Sequence, residues 1–499
     1  MIPAFAVVGQ PNKGKSSIVA TLAEDERVAI APTPGTTRSA HRYTLTIDDE
    51  PLYVLIDTPG FQRARAVLDW LEERASSAQE RPALVARFVA EHRGDPRFHD
   101  ECELLEPIVD GAGILYVVDG TKPYGPEYEL EMQVLQWTGR PRMALINLIG
   151  EGDFVDQWRQ GLGQYFSIVR VFDAVRADFS KRLALLRAFA ELDEDWRPAI
   201  ERAVEALVAE RARRRRRSAA EIAACLVDCL THTERAPLDD DVAEDRERRR
   251  ALEERLLGRL RNHVRDRERK ARDRVQGYYR HQSLKREEAS AELIATDIFT
   301  EEGWELFGLS RTQLVVSGAL SGAVAGGGID ALLGGASLLL GTGVGALIGG
   351  AGALFGSTEL ARVKVLGQSL GGRTLQVGPV RAPNFPWVLL GRAWAHHRLV
   401  AERNHARREV MSLAMAEEDH LMDRIPDRLR RQLAAEFKRL SGAGGGFAVG
   451  GVDAEARERL TALIERVLEL PDPVGGEGDT AAADARGRPQ PPAGGGPSA

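Results

Sequence analysis

Short apolar runs separated by polar loops open the chain. Ala4 to Val8 is long enough for a buried strand. It is too short for the apolar region of a secretion leader and has no basic residues ahead of it, so this part of the chain is expected in the cytoplasm. Arg42 to Ile47 alternates as a half-buried strand does, and Leu52 to Ile56 makes another, ending at Asp57. Gly113 to Asp119, Met143 to Asn147 and Ser167 to Phe172 read as three more. Helical patterns stand between them, as at Ser17 to Leu22 and Glu127 to Trp137. Strands alternating with helices predict an α/β fold with a parallel, doubly wound sheet. The stretch from Asp57 to Gly113 exceeds the one helix such a fold needs, and 67–93 and 99–110 read as extra helices, a helical insertion at about 67–110.

From 177 to 300 the pattern is helical and heavily charged, with a run of arginines at Arg213–Arg217. Residues 244–274 mix both signs around Leu252, Leu256, Leu260 and Val264, the spacing of a long helix with a narrow apolar seam. Asp239–Asp241 marks a break before it. Then the composition flips: from Leu314 to Gly356 the only charged residue is Asp330, and 14 residues are glycine. Strands or short helices return over 371–400, helices over 394–440 and 453–469, and Gly, Pro and Ala dominate from Pro471. The expected organisation is an α/β domain at 1–180, a charged helical region at 181–300, an apolar hairpin at 301–362, a mixed region at 363–470 and a disordered tail at 471–499.

Composition narrows the function classes. A chain of 499 residues predicts about three domains. Lys plus Arg is 67 against 74 for Asp plus Glu, a formal charge of −7, which argues against a nucleic-acid coat protein. Three cysteines (Cys102, Cys225, Cys229) exclude a disulfide scaffold.

The first strand runs into Gly9-Gln10-Pro11-Asn12-Lys13-Gly14-Lys15-Ser16, a G-x4-G-K-S loop that opens a helix. Backbone N–H groups of such a loop hold phosphate oxygens. Lys15 is expected to neutralise the β- and γ-phosphates and Ser16 to ligate Mg²⁺. Asp57-Thr58-Pro59-Gly60 follows at a strand end, with Asp57 expected to hold Mg²⁺ through water and the Gly60 N–H to sense the γ-phosphate. Between them stands Pro34-Gly35-Thr36-Thr37-Arg38, where Thr37, favoured over Thr36, adds a hydroxyl to Mg²⁺; the alternative is a plain type II turn.

These motifs, GQPNKGKSS at Gly9–Ser17, PGTTR at Pro34–Arg38 and DTPG at Asp57–Gly60, resemble the Era/TrmE/EngA branch of translation-factor-related P-loop GTPases over about residues 1–180. The resemblance implies a Ras-like domain that hydrolyses GTP. It implies a nucleotide site of Gly9, Asn12, Lys13, Gly14, Lys15, Ser16, Ser17, Asn147, Asp173 and Ala174, with Lys15, Thr37 and Gly60 carrying the chemistry. Two departures stand out. The family's N-K-x-D motif is reduced to Asn147-Leu148-Ile149-Gly150, and Asp153 lies three residues late for the lost aspartate. The residue after Gly60 is Phe61, which cannot orient water; in this branch a P-loop asparagine, here Asn12, can hold K⁺ instead, or it can simply shape the loop. Thr58-Pro59-Gly60, Leu68-Asp69-Trp70-Leu71 and Asn384–Arg392 also resemble a bacterial family that joins such a GTPase to a carboxyl-terminal domain of unknown function with a Gly-rich apolar stretch.

As helices, 314–329 would span ~24 Å and 331–356 ~39 Å, against ~30 Å of hydrocarbon. Small residues four apart (Gly318, Gly322, Gly326 and Gly341, Gly345, Gly349) allow close helix packing, and Arg311, Arg362 and Lys364 flank the stretch. Insertion into the inner face of the cell membrane and burial as a hairpin in a soluble domain both fit. Arg213–Arg217 reads as a solvated helix face, with anionic lipid or RNA as the alternative. Cys225, Cys229 and His232 share a helical face but lack a fourth ligand, and His396-His397 reads as structural.

The expectation is therefore a membrane-associated GTP/GDP switch with Mg²⁺, its switch loops at about 28–41 and 57–70, and an unidentified protein partner. The alternatives are a ribosome- or RNA-assembly GTPase, disfavoured because no RNA-binding module is recognisable, and a scaffold that binds nucleotide without hydrolysis.

Overall fold

A computed structural model describes residues 2–23, 39–174, 177–279, 298–299, 307, 357–361, 364–365, 368–369, 373–380, 382–402, 421–442 and 454–470. Thr36 and Thr37, most of the 28–41 loop, the apolar stretch 314–356 and the tail 471–499 lie outside these residues.

The amino-terminal sheet has the expected strands: β1 (Ala4–Val8), β2 (His41–Ile47), β3 (Glu50–Asp57), β4 (Gly113–Asp119), β5 (Arg142–Asn147) and β6 (Ile168–Val171). Their order is β2-β3-β1-β4-β5-β6, with β2 antiparallel and the rest parallel. β4 is buried along its whole length, as a central strand covered on both faces must be. Helices α1 (Lys15–Ala23), α2 (Ala64–Glu72), α3 (Arg81–His92), α4 (His99–Val109), α5 (Glu127–Trp137) and α6 (Val155–Leu162) connect the strands.

The insertion differs in detail from expectation. The stretch 67–93 is two helices, not one: α2 ends at Glu72, and a 3-10 turn at Ala78–Glu80 leads into α3. Pro82 sits in the first turn of α3, where its missing N–H costs nothing; within one continuous helix it would remove a bond.

Beyond β6, α7 (Phe179–Ala190) and α8 (Arg197–Thr231) cover one sheet face. Phe5 stacks on Phe189 at 4.1 Å between ring centres, and Trp196 meets Phe5 edge-on at 5.1 Å. That core runs on to Leu207, past the boundary expected at 180. From Ala219 the same helix enters a second core, so the first turns of α8 belong to one domain and its last turns to the other.

The second body contains a strand that the charged sequence concealed, β7 (Glu234–Leu238). It is followed by α9 (Asp240–Glu244) and by α10 (Arg246–Tyr278), the long helix expected from its apolar seam. β8 (Ser357–Ala361), a small hairpin of β9 (Lys364–Val365) and β10 (Gln368–Ser369), and β11 (Arg373–Val377) precede α11 (Phe385–Glu402), α12 (Asp427–Gly442) and α13 (Ala454–Leu468). β11 lies between β7 and β8, antiparallel to both. The regions at 181–300 and 363–470 therefore share a sheet and one hydrophobic core and form a single body. Over 371–400, where strands or short helices were expected, a strand is joined by a helix of 18 residues. No helix among the described residues is long and apolar enough to cross a membrane.

Candidate nucleotide site

The loop from Gly9 to Ser16 leaves β1 at the carboxyl edge of the sheet, where ligands bind in open α/β folds. Its path depends on unusual backbone angles. Gly9 stands at φ +139°, and a Cβ there would lie 2.3 Å from the Val117 carbonyl oxygen. Gly14 stands at φ +81°. Asn12 adopts φ +61°, a region asparagine tolerates better than most side-chain-bearing residues, and it is exposed. This geometry accounts for Asn12 as a loop-shaping residue.

Lys15 is buried, and its ammonium donates to the carbonyls of Gly9 at 3.0 Å and Gln10 at 3.1 Å. Burial lowers its pKa, while the nearby Asp57 and Glu131 oppose that shift. Ser16 Oγ donates to Asp57 Oδ2 at 2.7 Å, so the two expected metal-holding groups meet although they are 41 residues apart. Thr58 Oγ1 donates to the Val7 carbonyl at 2.8 Å and fastens the end of β3 to β1. A Cβ on Gly60 would lie 2.7 Å from Pro11 Cδ and 2.9 Å from the Gly9 oxygen, so glycine lets the two loops touch. Lys13 is buried with its Nζ 5.6 Å from the centre of the Tyr128 ring, and Ser17 lies half-buried in α1.

Asn147 is a structural link in this arrangement. Its Nδ2 donates to the Lys13 carbonyl at 3.1 Å, and its Oδ1 accepts from the Ala174 amide at 3.1 Å. Thr21 Oγ1 donates to the Ala174 carbonyl at 2.8 Å. The Asp173-Ala174 turn, β5, α1 and the phosphate loop are thereby tied together. Ile149 is 51% exposed, and Asp153 accepts from the Val155 amide at 3.3 Å in the first turn of α6.

Two groups of carboxylates at the site escaped the sequence reading. Glu131 on α5 is buried and accepts from Tyr116 Oη at 2.9 Å. Desolvation raises its pKa to about 7, against the opposing pull of Tyr116, Gln10, Lys15 and Lys13. Glu101 on α4 is 1% exposed and accepts from the amides of Gln62 at 2.9 Å and Arg63 at 2.6 Å, directly after the DTPG turn. Glu103 accepts from the Ala40 amide at 2.8 Å, at the entry to β2. Each group had a signal in the sequence: Glu131 interrupts the stripe Tyr128–Met132–Leu135, and Glu101 the stripe Leu104–Leu105–Ile108. A carboxylate in an apolar stripe needs a buried partner.

Family comparison agrees with this geometry. Residues 4–147 match the model described as "50S ribosome-binding GTPase", and residues 159–464 match "Domain of unknown function (DUF3482)". Among curated relatives, GTPase Der of Agathobacter rectalis is 39% identical over 87 residues, covering 17% of this chain and 20% of that protein. GTPase Der of a Thermoanaerobacter species is 36% identical over 119 residues, covering 23% of this chain and 27% of that protein. The chain thus spans about a quarter or less of the length of these relatives. A solved Era variant of Aquifex aeolicus bound to GDP.AlF4- aligns at 18% identity over 38% of this chain and 56% of that one, with a TM-score of 0.27. The chain belongs to the DUF3482 family, with a P-loop GTPase domain of the Era/Der type joined to the domain of unknown function.

Proposed function

We propose that this chain binds GTP with Mg²⁺, hydrolyses it slowly, and acts as a molecular switch at the inner face of the cell membrane. The observation that carries the nucleotide reading is the convergence of Ser16 and Asp57 at 2.7 Å beside the buried Lys15. A hydroxyl and a carboxylate are the hard oxygen donors Mg²⁺ prefers. Bound there, Mg²⁺ would help neutralise the β- and γ-phosphate charge. Lys15 is poised to exchange its two carbonyl partners for phosphate oxygens, and Thr37 would add its hydroxyl to the metal. Asn147 holds the phosphate loop against the Asp173-Ala174 turn, which supports base binding without reading the base by itself. Guanine preference without the missing aspartate therefore rests on the Asp173-Ala174 turn and the backbone of 148–150. Phe61 is buried and cannot position water, so turnover is slow; K⁺ beside Asn12 is a candidate aid.

The switch reading is supported by α4. Glu101 and Glu103 hold segments of both switch loops, Gln62–Arg63 and Ala40, so a γ-phosphate that reorders Gly60 and Thr37 would shift the insertion with them. The membrane reading rests on the composition of 314–356 alone.

A Lys15→Ala variant should lose phosphate release and most GTP affinity; unchanged release would remove the enzyme reading. The family description names a ribosomal partner for related GTPases, which keeps ribosome or RNA assembly as the second reading. Co-sedimentation with membranes against ribosomes, in the presence of a non-hydrolysable GTP analogue, separates the two.

A further inference from the structure

We propose that Asp228, His232, Glu234 and His263 form a binding site for one divalent transition-metal ion, Zn²⁺ by its ligand chemistry. Asp228 lies in the last turn of α8, His232 directly after that helix, Glu234 at the start of β7 and His263 in the middle of α10. Donor atoms of Asp228, His232 and His263 all lie within 4.8 Å of one another. His232 Nε2 is 2.9 Å from Glu234 Oε1, and His263 Nε2 is 3.4 Å from Asp228 Oδ1. The two imidazoles lie face to face, with ring centres 3.5 Å apart and planes within 4°.

The chemistry of this set is specific. Two neutral imidazoles with two carboxylates carry a charge of −2, which one divalent cation cancels. Nitrogen and oxygen donors in this ratio suit Zn²⁺ and its neighbours better than Mg²⁺ or Ca²⁺, which take oxygen. The His232 amide donates to the Asp228 carbonyl at 2.9 Å, which holds these two residues together at the end of α8. His232 also follows the last turn of α8, where the helix dipole favours positive charge. The residues are partly buried, so an ion can enter without opening the core. Binding requires the two rings to splay from their stack, because imidazole lone pairs lie in the ring plane. Arg267 Nε, 3.3 Å from Asp228 Oδ2, is an unfavourable charge nearby, but its Nη1 is also held by Glu221 at 2.8 Å.

The cysteines noted on the same helix take no part. Cys225 and Cys229 are buried free thiols, and a hydrogen bond with Cys225 together with burial raises the Cys229 pKa and keeps it a thiol. An ion at the histidine site would clip the α8–β7 corner to α10, fixing the output end of the helix shared by the two cores.

The test uses the full chain, stripped of metal and nucleotide and titrated with Zn²⁺ by calorimetry. One site is expected in the wild type. It should be lost in a His232→Gln/His263→Gln double variant and weakened by at least about tenfold in Asp228→Asn, since even indirect partners of metal ligands cost that much. Ser16→Ala should leave it intact, which separates it from the phosphate loop. GTP binding should be unchanged in the His variants, which also reports that they fold. Co²⁺ in place of Zn²⁺ should give visible d–d bands in the wild type and none in the double variant. No Zn²⁺ binding, or equal binding by the wild type and the double variant, overturns the proposal.

Discussion

Glu101 offers the sharpest test of the proposed coupling between the insertion and the nucleotide. One carboxylate oxygen accepts the amides of Gln62 and Arg63, in a side chain that is 1% exposed. Hydrogen bonds to a charged acceptor contribute about 1.5–3 kcal/mol each. The two amides are only partly buried and can find water once released, so Glu101→Ala should cost about 2–4 kcal/mol rather than the full sum. That loss is local to the DTPG segment and α4. By the relation of ~1.4 kcal/mol to a factor of ten, amide exchange at Gln62 and Arg63 should speed up roughly 30- to 700-fold. Hydrogen exchange is to be followed by mass spectrometry with GDP and with a non-hydrolysable GTP analogue. In the wild type the nucleotide should change protection both at 57–72 and in α4. In Glu101→Ala the change at 57–72 should survive while that in α4 fades. Exchange within threefold of wild type, with an intact nucleotide response in α4, would refute the coupling.

Three further outcomes follow from the geometry. Gly14→Ala places a methyl 2.2 Å from Asn147 Nδ2 at φ +81°; strain of about 1–3 kcal/mol should lower GTP affinity roughly 5- to 140-fold, measured by fluorescent-nucleotide titration, and wild-type affinity would contradict the Asn147 tether. Glu131, raised to about 7, is a proton-binding group in the folded state, so its contribution is complete below about pH 4.5 and declines as pH rises toward 7. Denaturation of Glu131→Gln at several pH values should show its stability gaining on wild type across that window by about 3 kcal/mol, and a difference independent of pH would exclude the assignment. His396 and His397 are both held down to about 3 by burial, so the stability they lend is present above about pH 6.5 and lost as pH falls toward 3. His396→Leu should therefore move the acid-unfolding midpoint, followed by tryptophan fluorescence, to lower pH; an unmoved midpoint would argue that the histidines are not neutral in the core.

The sheet and phosphate loop were legible because short-range chemistry dictates them. A run such as Gly113–Asp119, short, rich in β-branched and aromatic residues and bounded by glycines, favours a buried strand, and Gly9, Gly14 and Lys15 are spaced for one ligand. β7 was not legible because its residues, Glu-Arg-Ala-Pro-Leu, carry no strand alternation. Among the described residues it is an edge strand, where Pro237 is tolerated, and its pairing comes from β11 more than a hundred residues away. The carboxylate clamps were hidden for a related reason: Glu101 looks like any glutamate of a charged helix until the fold brings the 62–63 amides to it. Asn147 was found by its position, but its work in joining two loops is a tertiary fact.

The arginine run shows how the two domains are coupled. Arg213 pairs with Glu210 and, at 2.8 Å, with Asp48 in the β2–β3 turn. Arg214 is buried against Glu210, and Arg215 reaches Glu469 beyond α13. Three of the five guanidinium groups are thus engaged within the chain, which weakens the case for lipid or RNA at this run. These pairs sit at the point where α8 leaves the GTPase core at Leu207 and enters the second core at Ala219. The 35-residue helix has no internal break, and its lone proline lies in the first turn, so bending there would cost backbone hydrogen bonds. A displacement of the β2–β3 hairpin must then be taken up by motion of α8 as a rod or by breaking the Arg213–Asp48 pair. Because β2 begins where the 28–41 loop ends, in the proposed switch α8 would be the mechanical route from nucleotide state to the second core, and α4 the second arm on the opposite sheet face.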